Sequence, residues 1–119
     1  MDLRIAPNSG RALLSGLLLW MCASHGACRA DTWFGRDKLE HCGVTAAMAA
    51  AAGFVAYNHF DVSHDDAVAV GFGVSLSLGG LKEIVDANVP GGQPSAKDIV
   101  ADLLGALAGA ALLAAIIAR

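Results

Sequence analysis

Beyond residue 30, three long stretches of this chain carry no formal charge: residues 42–57, 67–81 and 103–118, which are 16, 15 and 16 residues long. A helix on the surface of a water-soluble domain shows a polar face opposite its apolar one. None of these stretches has such a face. A monomer built from them would expose a large apolar surface in water, so the helices need lipid or a partner to cover them. The chain is 55% hydrophobic but only 6% aromatic. Its apolar bulk is Ala, Leu, Val and Gly, and the small members of that set bury little area each. Cohesion therefore has to come from close approach of helix backbones.

The stretches read as helices. Ala dominates them, and nothing alternates with the two-residue period of a strand. The expected helices cover about residues 38–57, 65–87 and 95–117. "NHFDVSHDD" separates the first two and contains a Ser-x-x-Asp start signal at Ser63 and Asp66. "NVPGGQP" separates the last two, where Pro90, Gly91, Gly92 and Pro94 stop any helix, and Ser95 with Asp98 repeats the start signal. Short connections make consecutive helices antiparallel. The expected fold class is all-α: a three-helix, up-down-up hydrophobic bundle over residues 31–119.

Residues 1–30 read as an export signal. Arg4 and Arg11 lead, an apolar core follows over residues 12–23, and Cys28 and Ala30 supply small residues before Asp31. The alternative is an uncleaved anchor, although twelve apolar residues are short for a span. Lipid attachment needs a cysteine after small and aliphatic residues. Cys28 follows His25, Gly26 and Ala27, and Cys22 follows Met21, so neither fits well. Beyond residue 30 only Cys42 remains, which rules out an internal disulfide there. His41 and Cys42 are adjacent, and adjacent residues point apart on a helix, so a buried, inert thiol is expected. The net charge of −3 supplies no basic surface and argues against nucleic acid.

The densest group of charges, in "WFGRDKLEHCG", stands at the lip of the first helix. In the up-down-up arrangement Asp37, Lys38 and His41 open helix one, Lys82, Glu83 and Asp86 close helix two, and Lys97, Asp98 and Asp102 open helix three. All nine then fall at one end of the bundle, and spacings of three and four place members of each group on a shared face. Lys38 at a helix start, and Glu83 and Asp86 at a helix end, oppose the macrodipole by roughly 0.3–1 kcal/mol each if exposed. Pairing of Lys38 with Glu83 or Asp86 across the bundle end would remove the anomaly. Asp98 needs no explanation beyond capping. Gly53, Gly71, Gly73, Gly79, Gly80, Gly105 and Gly109 follow below the polar end and point to helix backbones in contact. Gly105 and Gly109 continue the face of Asp98 and Asp102, giving helix three one seam.

Two placements remain open. The missing charged faces favour a membrane-embedded bundle. Against it, the charge-free runs fall below the roughly 20 residues a bilayer asks for. After export the first inter-helix loop would also be cytoplasmic, yet it holds Asp61, Asp65 and Asp66 and no Lys or Arg, contrary to the positive-inside tendency. The alternative is a periplasmic bundle covered by a partner.

"GRDKLEH", "GGLKEIVD" and "SAKDIVADLLGALAG" resemble, in that order, the three motifs of the YfiM-type envelope lipoproteins. The matching residues are Asp37, Lys38 and His41; Lys82, Glu83 and Asp86; and Lys97, Asp98, Asp102 and Gly105. The resemblance implies a small cell-envelope protein and no defined chemistry. More distantly, the same order of motifs is similar to VanZ-like membrane proteins, associated with glycopeptide resistance.

Three functions fit these residues. The first is structural or scaffolding, with Lys38, Glu83, Asp86 and Asp98 as an ion-pair network locking helix ends. The second is a metal-dependent or acid/base enzyme. Its candidate catalytic residues are His41, Glu83, Asp86 and Asp102, with Mg²⁺, Mn²⁺ or Zn²⁺ as cofactor, Lys38 holding an anion, and a lipid-linked or cell-wall phosphate as substrate. Neither His-Glu-x-x-His nor Gly-x-Ser-x-Gly occurs to support it. The third is a binding module whose Gly105 and Gly109 face packs on an envelope partner or a second copy. Membrane lipid is the other expected partner. His59 and His64 are read as part of a solvated loop.

Overall fold

The computed structural model describes residues 32–118, together with Ser15. The segment read as an export signal or anchor lies outside them, apart from that one residue. Among the described residues the fold is all-α, a three-helix bundle with no strand: α1 Arg36–His59, α2 His64–Asn88 and α3 Ala96–Ile117. The helices begin and end within two residues of the expected limits.

Local chemistry explains those limits. Ser63 and Ser95 accept the backbone N–H groups of Asp66 and Asp98, as the two start signals require. The Ser63 hydroxyl also donates to the Asp66 carboxylate at 2.7 Å, a second tie between the same two residues. α1 starts after Gly35 without a side-chain cap, and Asp37 stands in its first turn, where the dipole favours an acid. The α1–α2 link bends at Asp61, whose φ is 51°, and the α2–α3 link turns at Gly91, whose φ is 79°.

The interior is the reverse of a soluble core. Its stripe along α1 is Lys38, His41, Thr45, Ala49, Gly53 and Ala56. Along α2 it is Ala67, Gly71, Ser75, Gly79, Lys82, Glu83 and Asp86. Along α3 it runs from Asp98 through Asp102, Gly105 and Gly109 to Leu113. Leu113 is the largest fully buried side chain, whereas Ile84 and Leu104 are 62% and 58% exposed. Leu81, Leu107, Leu112 and Ile116 also face outward. Soluble domains bury such residues and keep charges outside.

Small residues let the helices approach through their backbones. Gly71 packs on the Ala49 carbonyl and on Gly53, Gly105 on the Cys42 carbonyl and Thr45, and Gly109 on Ala46. A serine adds a polar tie, since Ser75 Oγ donates to the Thr45 carbonyl at 2.6 Å. The expectation that all seven glycines mark contacts needs correction, because nothing lies within 4 Å of a Cβ built on Gly73 or Gly80. Cys42 also departs from expectation: it is a free thiol, half-buried rather than buried.

All three helices are long and apolar enough to cross a membrane. Their 22–25 residues correspond to about 33–38 Å, against a hydrocarbon core of about 30 Å. In α2 and α3 the charge-free runs are shorter than the helices because Lys82, Glu83, Asp86, Asp98 and Asp102 point inward, and the outward surface stays apolar through Ile84 and Ile99. In α1, Arg36 and Glu40 pair on the outer surface of the first two turns.

Candidate functional site: a charged interior at one bundle end

The N-termini of α1 and α3 and the C-terminus of α2 meet at one end, so the three polar groups converge. Seven titratable residues are buried there: Lys38, His41, Lys82, Glu83, Asp86, Asp98 and Asp102. Asp37 and Lys97 lie at the margin, both half-buried. The Lys97 ammonium stands 5.4 Å from the centre of the Trp33 ring, a cation–π contact.

The ion pairing differs from the expected one. Lys38 donates to Asp98 on α3 in a close charge-assisted bond, and to Asp37 at 3.2 Å. It bonds to Asp98 rather than to Glu83 or Asp86. Lys82 instead takes Asp86, one turn along α2, at 2.6 Å. The reason is geometric: Lys38 and Asp98 both lie in first helical turns at the same level, whereas Lys82 and Asp86 are already on one face of α2. Asp98 is thus more than a capping residue, because its backbone N–H serves the cap while its carboxylate serves Lys38.

His41 is 1% exposed and lies between two carboxylates of α3. Its Nδ1 is 3.0 Å from Asp102 Oδ1, and its Nε2 is 3.6 Å from Asp98 Oδ2. One helical turn separates Asp98 from Asp102, which is why a single ring reaches both. Glu83 Oε2 accepts the backbone N–H of Ser95 at 2.7 Å, tying the end of α2 to the start of α3. Asp102 is seated against Gly79: a Cβ there would lie 2.9 Å from the Asp102 carboxyl carbon. Only a residue without a side chain leaves that space.

Among the described residues, two buried oxygens have no hydrogen-bond partner, Glu83 Oε1 and Asp102 Oδ2. The nearest cation to Glu83 Oε1 is Lys82 Nζ at 3.6 Å, beyond hydrogen-bond reach. Donor atoms of His41, Glu83 and Asp102 all lie within 4.8 Å of one another, as do those of Asp37, His41 and Asp98. Lys38 already contacts both acids of the second trio. The buried set holds two lysines against four carboxylates, a surplus of negative charge that low-dielectric surroundings make costly unless a cation or protons offset it.

The sequence-predicted site residues are therefore brought together, with Asp37 and Lys97 at the edge. Thr45 and Ser75 were missed, and in the sequence Gly79 reads only as a helix-packing residue. Thr45 lies four residues after His41, and Ser75 and Gly79 precede Lys82 and Asp86 on one stripe, so helical spacing from the charged residues would have found them. At the opposite end His64 is half-buried, with Nδ1 3.0 Å from Asp65 and Nε2 3.2 Å from the Ala114 carbonyl, so that histidine is more than a loop residue in solvent. Comparison with protein-family models, with curated proteins and with solved structures returns no match to this chain.

Proposed function

We propose that this protein is a membrane-embedded scaffold of the cell envelope, its three helices crossing the bilayer and its charged interior locking their outer ends together. One observation carries the reading: Leu113 apart, large apolar side chains face outward, while the interior is built of Gly, Ala, Ser, Thr and the titratable groups of one bundle end. Lipid covers the first set at no cost, whereas water does not. Intramembrane ionisable groups face a bundle interior and pair with one another, and Lys38–Asp98 and Lys82–Asp86 do so here. The motifs that resemble YfiM-type envelope proteins are the same residues that converge at this end, which supports placement in the envelope. The export reading of residues 1–30 then puts the cluster on the periplasmic side.

An alkaline carbonate wash of membranes, combined with two fusions after Arg119, tests this. The chain is expected to stay in the pellet, with a fused alkaline phosphatase inactive and a fused fluorescent protein bright. Release by carbonate refutes spanning. Retention with an active phosphatase refutes the orientation and turns the cluster toward the cytoplasm.

A further inference from the structure

We propose that His41, Glu83 and Asp102 form a divalent-cation site inside the bundle end, taking a first-row ion such as Zn²⁺ or Mn²⁺. This goes beyond the scaffold reading and does not depend on whether the helices span a bilayer.

Three independent features converge on these residues. The first is the pair of orphaned oxygens, Glu83 Oε1 and Asp102 Oδ2, on side chains that are 7% and 1% exposed. A buried carboxylate oxygen without a donor is costly, and native interiors rarely keep one. The two orphans belong to the two carboxylates that share a trio with His41. The second is charge. Lys38 offsets Asp98 and Lys82 offsets Asp86, which leaves Glu83 and Asp102, among the described residues, as the two buried acids with no lysine in hydrogen-bond reach, Asp102 meeting only the His41 imidazole. One divalent ion supplies the missing two charges.

The third feature is how the donors are held. Glu83 is fixed through Oε2 by the Ser95 N–H, so Oε1 is the atom it presents. Asp102 is seated by Gly79. Asp102 holds the Nδ1 edge of His41 at 3.0 Å, and Asp98 Oδ2 faces the Nε2 edge at 3.6 Å, too far to bond the ring. The rival trio of Asp37, His41 and Asp98 lacks this vacancy of charge, since the Lys38 ammonium contacts both of its acids.

The chemistry of the donor set selects the ion. One imidazole with two carboxylates suits Zn²⁺ or Mn²⁺ better than Ca²⁺, which takes six to eight oxygens. Zinc bonds of about 2.0–2.1 Å place tetrahedral donors about 3.3 Å apart. Atoms spread over as much as 4.8 Å therefore draw in by up to about 1.5 Å, within reach of rotamer adjustment. Three protein ligands leave at least one position for water or an oxygen ligand.

The full chain, purified in detergent and stripped with chelator, is to be titrated separately with ZnCl₂ and MnCl₂ by calorimetry. About one ion per chain is expected, with affinity falling more than about tenfold in Glu83→Gln and in Asp102→Asn. Asp37→Asn and the double variant His59→Ala/His64→Ala are expected to bind as wild type. No binding by the wild type overturns the proposal. So does wild-type affinity in Glu83→Gln and Asp102→Asn, and so does loss confined to the His59/His64 variant, which would move the ion to the opposite end. Pulsed electron paramagnetic resonance of the Mn²⁺-loaded wild type gives a reading that needs no variant to fold: nitrogen coupling from an imidazole is expected, and its absence overturns the proposal.

Discussion

Gly109→Ala tests whether backbone contact holds this bundle together. A Cβ on Gly109 would lie 2.8 Å from both the Cα and the carbonyl carbon of Ala46, and closer still to that carbonyl's oxygen. Carbon atoms rest about 3.5–4.0 Å apart, so α1 and α3 must separate by about 1 Å. No flexible side chain is there to give way, and the same seam carries Gly105 on the Cys42 carbonyl. Inserting a methyl into such a contact costs about 1–3 kcal/mol. Ala also gains about 0.5–1 kcal/mol over Gly in a helix, which masks part of the cost. Gly73→Ala supplies the reference, because nothing lies within 4 Å of its Cβ and only the helix gain remains. The difference between the two variants cancels that gain and isolates the close approach, so it is expected at about 1–3 kcal/mol. Unfolding by SDS in mixed micelles, followed by far-ultraviolet circular dichroism, measures it. Equal stability of Gly109→Ala and Gly73→Ala would refute the packing argument.

Two further outcomes follow from the charged end and from the caps. Lys38→Met strands the Asp98 carboxylate, which is 4% exposed, and is expected to cost about 3–5 kcal/mol in the same unfolding assay. Adding Asp98→Leu should recover most of that loss, because removing both partners of a buried pair is far cheaper than removing one; a single variant as stable as wild type would mean that the pair locks nothing. Ser63→Ala removes the acceptor for the Asp66 N–H and is expected to cost about 0.5–2 kcal/mol. Hydrogen exchange should speed up in the first turn of α2 and not at the charged end.

Much of this architecture is legible in the chain. Helix type follows from Ala-rich runs without alternation, and helix starts follow from Ser63 and Ser95. The gathering of the polar groups follows from two short links, which force antiparallel neighbours. The seam of Asp98, Asp102, Gly105 and Gly109 follows from spacing alone. Less legible is which way each helix faces. A soluble amphipathic helix announces its inner side by contrast between apolar and polar residues. α1 offers almost none, since Ala recurs all around it and its charges cluster in the first two turns. Gly73 and Gly80 consequently look like Gly71 and Gly79 in the sequence, yet only the latter pair faces inward.

What the sequence determined by itself is therefore the one-dimensional order: three helices, their ends, and the end at which charge collects. The tertiary structure decided axial rotation and, through it, partner choice. Rotation gave Lys38 to Asp98 and Lys82 to Asp86, set His41 between two acids of α3, and left Glu83 and Asp102 each with one unpartnered oxygen. The physical reason is range. Capping and helix propensity act within a few residues of chain, whereas an ion pair between residues 60 apart exists only after backbones have packed through glycine and fixed how each helix is turned.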